Sequence, residues 1–226
     1  MRAGKPTVKK TRVLIVDDHP MTRAGLVHVI DHQPDLIVCG EAESAAQALD
    51  ILDSSRPDLL LIDITLPGKS GLELIKDVKA MQPELLMLVV SMHDESLYAD
   101  RVLRAGARGY ITKHEGGEKL MEAIRHVLSG KIYVSESMSA HILEIFSGGQ
   151  TRLDRSSIEK LSDREFEVFE SLGEGLSSQP IAKKLHLSAK TVDAHRANIK
   201  TKLSIKTTAE LISYAARWTS HQAQKE

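Results

Sequence analysis

The stretch Leu59-Leu60-Leu61-Ile62-Asp63 constrains this chain more than any other. Four consecutive aliphatic residues follow Pro57-Asp58, and Pro67-Gly68 soon forces a turn. The run is too short for a typical helix and suits a strand buried on both faces. Asp63 then falls at the carboxyl end of a central parallel strand, where open α/β sheets place their chemistry. The run Val13-Leu14-Ile15-Val16 repeats the pattern and ends in Asp17-Asp18. Two buried strands ending in three acids need an explanation, because grouped carboxylates repel one another unless protonated or neutralised by a cation.

Residues 12–16, 36–40, 59–62, 85–90 and 109–111 read as strands. Helical patterns lie between and after them: Pro20 to Ile30, a helix capped by Ser44, one opened by Ser70-Gly71-Leu72, one from about Ser96 to Ala105, and one from Glu118 to Leu128. This alternation implies parallel strands with right-handed crossovers, a doubly wound α/β domain over residues 11–130. The flavodoxin-like strand order 2-1-3-4-5 sets the first strand beside the third, so Asp17, Asp18 and Asp63 converge. Residues 131–157 read as a helix over 132–146 (Met138, Ile142, Leu143, Ile145, Phe146) and a polar linker over 147–157. From there to residue 222 the pattern is all helical, a four-helix domain over 158–222. Ser162-x-x-Glu165 is a capping box, Pro180 starts the second helix, Ser188 caps the third, and Thr208 caps a fourth that ends near Trp218.

No run approaches the roughly 18 apolar residues of a membrane span, and no apolar segment follows the basic Met1 to Lys10, so a ragged start is expected and not a signal peptide. The lone Cys39 reads as a small buried hydrophobe; it excludes an intrachain disulfide and fits a reducing cytoplasm. The net charge of −1 hides an asymmetry. Residues 1–150 carry 17 Lys and Arg against 21 Asp and Glu, whereas from Ile181 onward the count is 9 against 3. A basic last quarter is a possible nucleic-acid footprint.

All-oxygen ligands point to a hard cation, Mg²⁺, at the three acids. The ordered set Val16-Asp17-Asp18-His19-Pro20, Asp63, Pro67-Gly68-x-x-Gly71, Ser91, Tyr110 and Lys113 resembles the receiver domain of two-component response regulators. That resemblance implies that Asp63 accepts a phosphoryl group from the phosphohistidine of a sensor histidine kinase or phosphotransfer protein. It implies that Asp18, Asp63 and the carbonyl of Thr65 hold Mg²⁺, with Asp17 acting through water. Lys113 would supply a cation to the phosphoryl oxygens and Ser91 a hydroxyl, and Tyr110 would follow Ser91 inward. A phosphatase of the haloacid-dehalogenase kind needs an aspartate where Thr65 stands, so turnover is not expected. No Gly-x-Gly-x-x-Gly follows the first strand, so a dinucleotide site is unsupported. Met92 is bulkier than the small residue common in receivers and is expected to affect access to the acceptor.

Leu161-Ser162-x-Arg164-Glu165, Ile181-Ala182-x-x-Leu185, Leu187-Ser188-x-x-Thr191-Val192-x-x-His195, Asn198-Ile199-x-x-Lys202-Leu203 and Ala209-Glu210-Leu211 resemble the LuxR-type helix-turn-helix domain of the NarL/FixJ class. In the third helix of this domain Val192, His195, Ile199 and Leu203 form the inward stripe. Lys190, Asp193, Ala194 and Ala197 are the expected base-facing set, and Thr191, Arg196, Lys200 and Lys206 the phosphate contacts. Asp193 departs from the neutral or basic residue of many relatives; it either accepts from a cytosine amine or lies solvated. Together the two resemblances imply a phosphorylation-activated transcriptional regulator that binds promoter DNA as a dimer. The alternative is an orphan regulator controlled without phosphorylation.

Overall fold

The five apolar runs pair as one parallel sheet in the order β2-β1-β3-β4-β5. The computed structural model describes residues 10–146, 157–158 and 160–223. Strands β1 (Thr11–Val16), β2 (Leu36–Ala42), β3 (Leu59–Ile62), β4 (Leu86–Ser91) and β5 (Gly109–Thr112) alternate with α1 (Pro20–Asp31), α2 (Ala45–Ser55), α3 (Gly71–Met81), α4 (Glu95–Ala105) and α5 (Gly117–Leu128). Every residue of β3 is buried, as its unbroken aliphatic run demands. Alternate side chains divide between two cores. Val13, Ile15, Leu59, Leu61 and Leu88 face α1 and α5. Leu14, Val16, Leu60, Ile62 and Val89 face α2, α3 and α4.

Local chemistry sets the helix ends. Ser44 accepts from the Gln47 amide, and Ser70 with Glu73 forms a reciprocal capping box at α3. Gly106 ends α4 at φ 119°, a conformation that a residue with a Cβ rarely adopts. The helix expected over 132–146 begins only at Glu136, as α6 (Glu136–Phe146). Tyr133 instead bridges to Gly109 on the open edge of β5. The Ile132-Tyr133-Val134 triplet is aromatic and β-branched, and an unpaired edge satisfies its backbone better than a helical turn would. Met138 of α6 is buried, Leu143 is exposed, and the side chains of Ile145 and Phe146 lie outside the described residues. So do residues 1–9 of the basic N-terminal segment and residues 147–156 of the expected linker, whose last residue, Ser157, is helical.

The helical C-terminal domain comprises α7 (Asp163–Gly173), α8 (Ser178–Lys184), α9 (Ala189–Leu203) and α10 (Thr208–Ala223). Its core is aromatic: Phe166 and Phe169 pack against Trp218 at 5.5 and 5.7 Å between centroids. The Ser162–Glu165 capping box and the Ser188 cap form as expected. Two expectations need correction. Pro180 is the third residue of α8 and not the first, because Ser177 takes the N-cap position. The cap of α10 is Thr207, whose hydroxyl accepts from the Glu210 amide while Glu210 accepts from the Thr207 amide. That reciprocal pair moves the helix start one residue earlier, and α10 runs on past Trp218 to Ala223. Among the described residues no helix is long and apolar enough to cross a membrane.

Candidate functional site

Backbone pairing carries the acids together. Val16 pairs with Ile62 across β1 and β3, and Ile62 with Val89 across β3 and β4. The ladder continues one residue further, with the Asp63 amide donating to the Val16 carbonyl at 2.9 Å and the Lys113 amide to the Ser91 carbonyl at 2.8 Å. Asp17, Asp63 and Ser91 are thereby buried at the carboxyl edge of the sheet. Lys113 Nζ lies 2.6 Å from Asp63 Oδ2 and 2.7 Å from Asp17 Oδ2. The Asp17 carboxylate also accepts from the His19 amide, and Arg23 donates to the Asp17 carbonyl at 2.6 Å.

Burial pushes the Asp63 carboxyl above the usual carboxylate range, and the Lys113 ammonium opposes that push. Burial pulls Lys113 down, but Asp63 and Asp17 outweigh it, so its ammonium is held more firmly than usual. A second cation would therefore relieve a real deficit. Asp63 Oδ1 is buried and accepts no hydrogen bond. Asp17, Asp18, Asp63 and His19 offer ligand atoms that all lie within 4.8 Å of one another. Hard oxygen donors in that number fit a small divalent cation. The Thr65 hydroxyl faces His93 Nε2 at 2.9 Å. Ser91 Oγ accepts from the His93 amide at 3.4 Å, and the Tyr110 hydroxyl donates to the His93 carbonyl at 2.8 Å. Tyr110 is fully buried here. Met92, expected to affect access, is exposed and lines the cleft above Asp63.

The sequence reading missed a second half of this site, contributed by the C-terminal domain. A cleft of about 750 Å³ is lined by Asp63, Thr65 and Ser91 on one side and by Lys183, Lys184 and His186 on the other. His186 Nε2 sits 2.9 Å from Asp18 Oδ2. Its backbone is left-handed at φ 54°, which costs a non-glycine residue about 1–2 kcal/mol. The polar face of α7 is covered by the α/β domain. Arg164 donates to the carbonyls of Leu66 and Gly68 at 3.0 and 2.7 Å, and Lys76 pairs with Asp163 at 2.6 Å. Arg101 donates to the carbonyls of Ile158 and Leu161 and lies 4.1 Å over the Phe166 ring. The only signal in the sequence was the density of acids in the first helix of the C-terminal domain, and helical periodicity alone reads such a face as solvated.

Glu167 on that face is fully buried against Arg164. Burial raises its pKa from 4.5 to about 7, with Arg164 opposing. A carboxyl raised in the folded state favours its protonated form, so its contribution is fully present below pH 4.5 and is lost as pH rises to 7. Thermal unfolding of Glu167→Gln, compared with the parent chain from pH 4.5 to 8, should show a flatter pH profile. The difference between the two curves should grow by about 3 kcal/mol across the window and level off above it. Parallel curves would exclude Glu167 as the titrating group.

On α9, Val192 and Ile199 are buried, and His195 and Leu203 are partly buried, as the inward stripe requires. Burial lowers the His195 pKa. Lys190, Asp193, Ala194 and Ala197 are exposed, as is Lys206; Lys200 is partly exposed. Asp193 is not simply solvated: Ser178 donates to it at 2.7 Å, and Arg196 reaches both Ser178 and Asp193, at 2.5 and 3.5 Å. Thr191 donates its amide to Ser188 Oγ, within the cap of α9.

The family model for the response regulator receiver domain matches residues 13–125, and that for bacterial regulatory proteins of the luxR family matches residues 159–215. The chain is 35% identical over 210 residues to the oxygen regulatory protein NreC of Staphylococcus aureus (strain NCTC 8325 / PS 47), covering 91% of this chain and 97% of that protein. Among solved structures it is similar to RcsB from Salmonella enterica serovar Typhimurium bound to promoter rprA in the presence of phosphomimetic BeF3⁻. That likeness has a TM-score of 0.62 at 27% identity and covers 92% of this chain and 99% of that one. A LuxR-family two-component response regulator from Aurantimonas sp. SI85-9A1 matches with a TM-score of 0.57 at 32% identity, over 62% of this chain and 99% of that one.

Proposed function

Because this chain belongs to the two-component response regulators that join a receiver domain to a LuxR-type DNA-binding domain, we propose that Asp63 is its phosphoryl acceptor and that phosphorylation governs promoter binding. The observation that carries this reading is the buried carboxylate of Asp63, held 2.6 Å from Lys113 at the end of the central strand. In the transfer, an Asp63 oxygen attacks the phosphorus of a donor phosphohistidine. The P–N bond breaks, the imidazole leaves with the electron pair, and an acyl phosphate forms. The donor is a sensor histidine kinase or a phosphotransfer protein. Lys113 lies where it can pair with the added phosphoryl oxygens, and Ser91 carries a hydroxyl beside them. Asp17, Asp18, Asp63 and Thr65 would hold Mg²⁺, which offsets the charge of two approaching anions. The chain is not expected to turn over substrate.

Incubation with a small acyl phosphate tests the reading. Covalent labelling that needs Mg²⁺ supports it, and absence of labelling favours a regulator controlled without phosphorylation.

For DNA, the exposed residues Lys190, Asp193, Ala194 and Ala197 on α9 are proposed to face the bases. Thr191, Arg196, Lys200 and Lys206 are proposed to contact phosphates. The hydrogen bonds from Ser178 and Arg196 to Asp193 support a role in aiming Arg196, and they lower the cost of an acid near phosphate. RcsB dimers bind DNA; a homodimer on paired half-sites is proposed here, with affinity raised when two domains engage together. Lys200→Ala should weaken binding to specific and unrelated DNA alike. The slope of log affinity against log salt should fall by about one. An unchanged slope in a fluorescence titration would remove Lys200 from the phosphate set.

A further inference from the structure

His93 stands between the two switch residues and the DNA-binding domain. Its backbone belongs to the switch: the amide donates to Ser91 Oγ and the carbonyl accepts from the Tyr110 hydroxyl. Its ring belongs to the domain interface. Nε2 lies 2.9 Å from Thr65 Oγ1, two residues beyond Asp63, and Nδ1 lies 3.2 Å from Glu170 Oε2 on α7. The Tyr98 ring packs against it at 4.6 Å, and the Tyr98 hydroxyl donates to the same Glu170 oxygen at 2.5 Å. Among the described residues, both groups bonded to the Glu170 carboxylate come from the receiver domain. His93 and Glu170 are each largely buried.

We infer that His93 is the positioning residue through which a change at Asp63 releases the DNA-binding domain from the receiver. The inference rests on the reading of Asp63 as phosphoryl acceptor. A phosphoryl group that draws the Ser91 hydroxyl toward itself takes that acceptor from the His93 amide. The β4–α4 loop then shifts and carries the ring away from Thr65 and Glu170 together. Glu170 would be left buried with one donor fewer, and a buried carboxylate without its partner is costly enough to favour separation into water. The rest of the interface is mostly polar: it holds Arg164, Glu167 and Asp163 at low exposure, Tyr98 packs edge-on against Phe166, and the lysine of the Lys76–Asp163 pair is largely solvent-exposed. Thus one ring couples two events that lie in different domains.

Small-angle X-ray scattering of the full chain measures the populations of docked and separated forms. Glu170→Gln and His93→Gln should each raise the ratio of separated to docked chain roughly tenfold, the size expected for a lost hydrogen bond to a charged group. The double variant should exceed neither single one, because both remove the same link. Tyr98→Phe should act in the same direction, and Lys76→Ala much less. Magnesium with beryllofluoride, a phosphoryl analogue, should separate the parent chain and leave His93→Gln no more separated than before. Single variants that scatter like the parent, or effects that add in the double variant, overturn the coupling while leaving Asp63 as acceptor. A parent chain that stays docked although bound beryllofluoride is seen by fluorine NMR overturns it as well. If no bound fluoride resonance forms, the acceptor reading fails, and the inference falls with it.

Discussion

Asp63→Asn should abolish covalent labelling by a small acyl phosphate, while the chain keeps its fold and its melting temperature. The carboxamide has nearly the same shape but no nucleophilic oxygen anion. Stability should hold because Asp63 is a buried carboxylate whose ionised form burial disfavours; a neutral group removes that cost. Lys113 loses one partner and keeps Asp17 at 2.7 Å. Intact-mass spectrometry after incubation with the acyl phosphate and Mg²⁺ reads the outcome. Labelling of the variant at the parent's rate would move the acceptor to Asp17 or Asp18, the other acids of the cluster. The same variant should no longer change its DNA affinity on exposure to the phosphodonor.

The largest structural effect is expected at Gly71, the first residue of α3. A Cβ there would stand 2.0 Å from the Asp63 carbonyl oxygen and 2.9 Å from both the Asp63 carbonyl carbon and Ile64 Cα. All three are backbone atoms, so no rotamer change relieves the clash. The approach is this close because the Gly71 amide donates to the Ile64 carbonyl at 2.7 Å, which closes the loop after Asp63. Gly71→Ala should cost about 3 kcal/mol or more, at the upper end of overpacking, which for a chain of this size lowers the melting temperature by roughly 10 °C. It should also slow labelling, since relief of the clash must displace the Asp63 backbone. Gly25→Ala in α1 is the matched control, because nothing lies within 4 Å of its Cβ. There the gain in helix propensity should stabilise the chain by up to about 1 kcal/mol. Calorimetry giving the two substitutions the same sign would contradict this account of the loop.

Much of the receiver was legible because its signals are local. A short aliphatic run bounded by turn residues suits a doubly buried strand, and two such runs ending in acids place those acids side by side once the strands are parallel neighbours. The alternation of elements gave parallel strands, and the flavodoxin-like order 2-1-3-4-5 expected at this size is the order observed. The capping boxes at Ser70 and Ser162 and the cap at Ser188 were visible for the same reason, since each needs only residues within one turn. Local signals failed where two of them compete. At Pro180 the preference of proline for a helix start yielded to a cap position three residues earlier. At Tyr133 a helical pattern yielded to the unpaired edge of β5, which lies 24 residues back in the chain at Gly109.

By itself, then, the amino-acid sequence determined the sheet, the convergence of its three acids and the helical domain that follows, because each arises from periodicity and turn chemistry within a short window; Lys113 entered only through the resemblance to receiver domains. Only the tertiary structure decided what the acids of α7 do. Glu167 and Glu170 have the spacing of a solvated face, yet they are buried against Arg164, His93 and Tyr98. Whether a charged helix face meets water or another domain depends on partners 72 to 98 residues away. No periodicity in the helix itself encodes them, and the energy that settles the choice is a small difference between desolvation and pairing that exists only once the two domains meet.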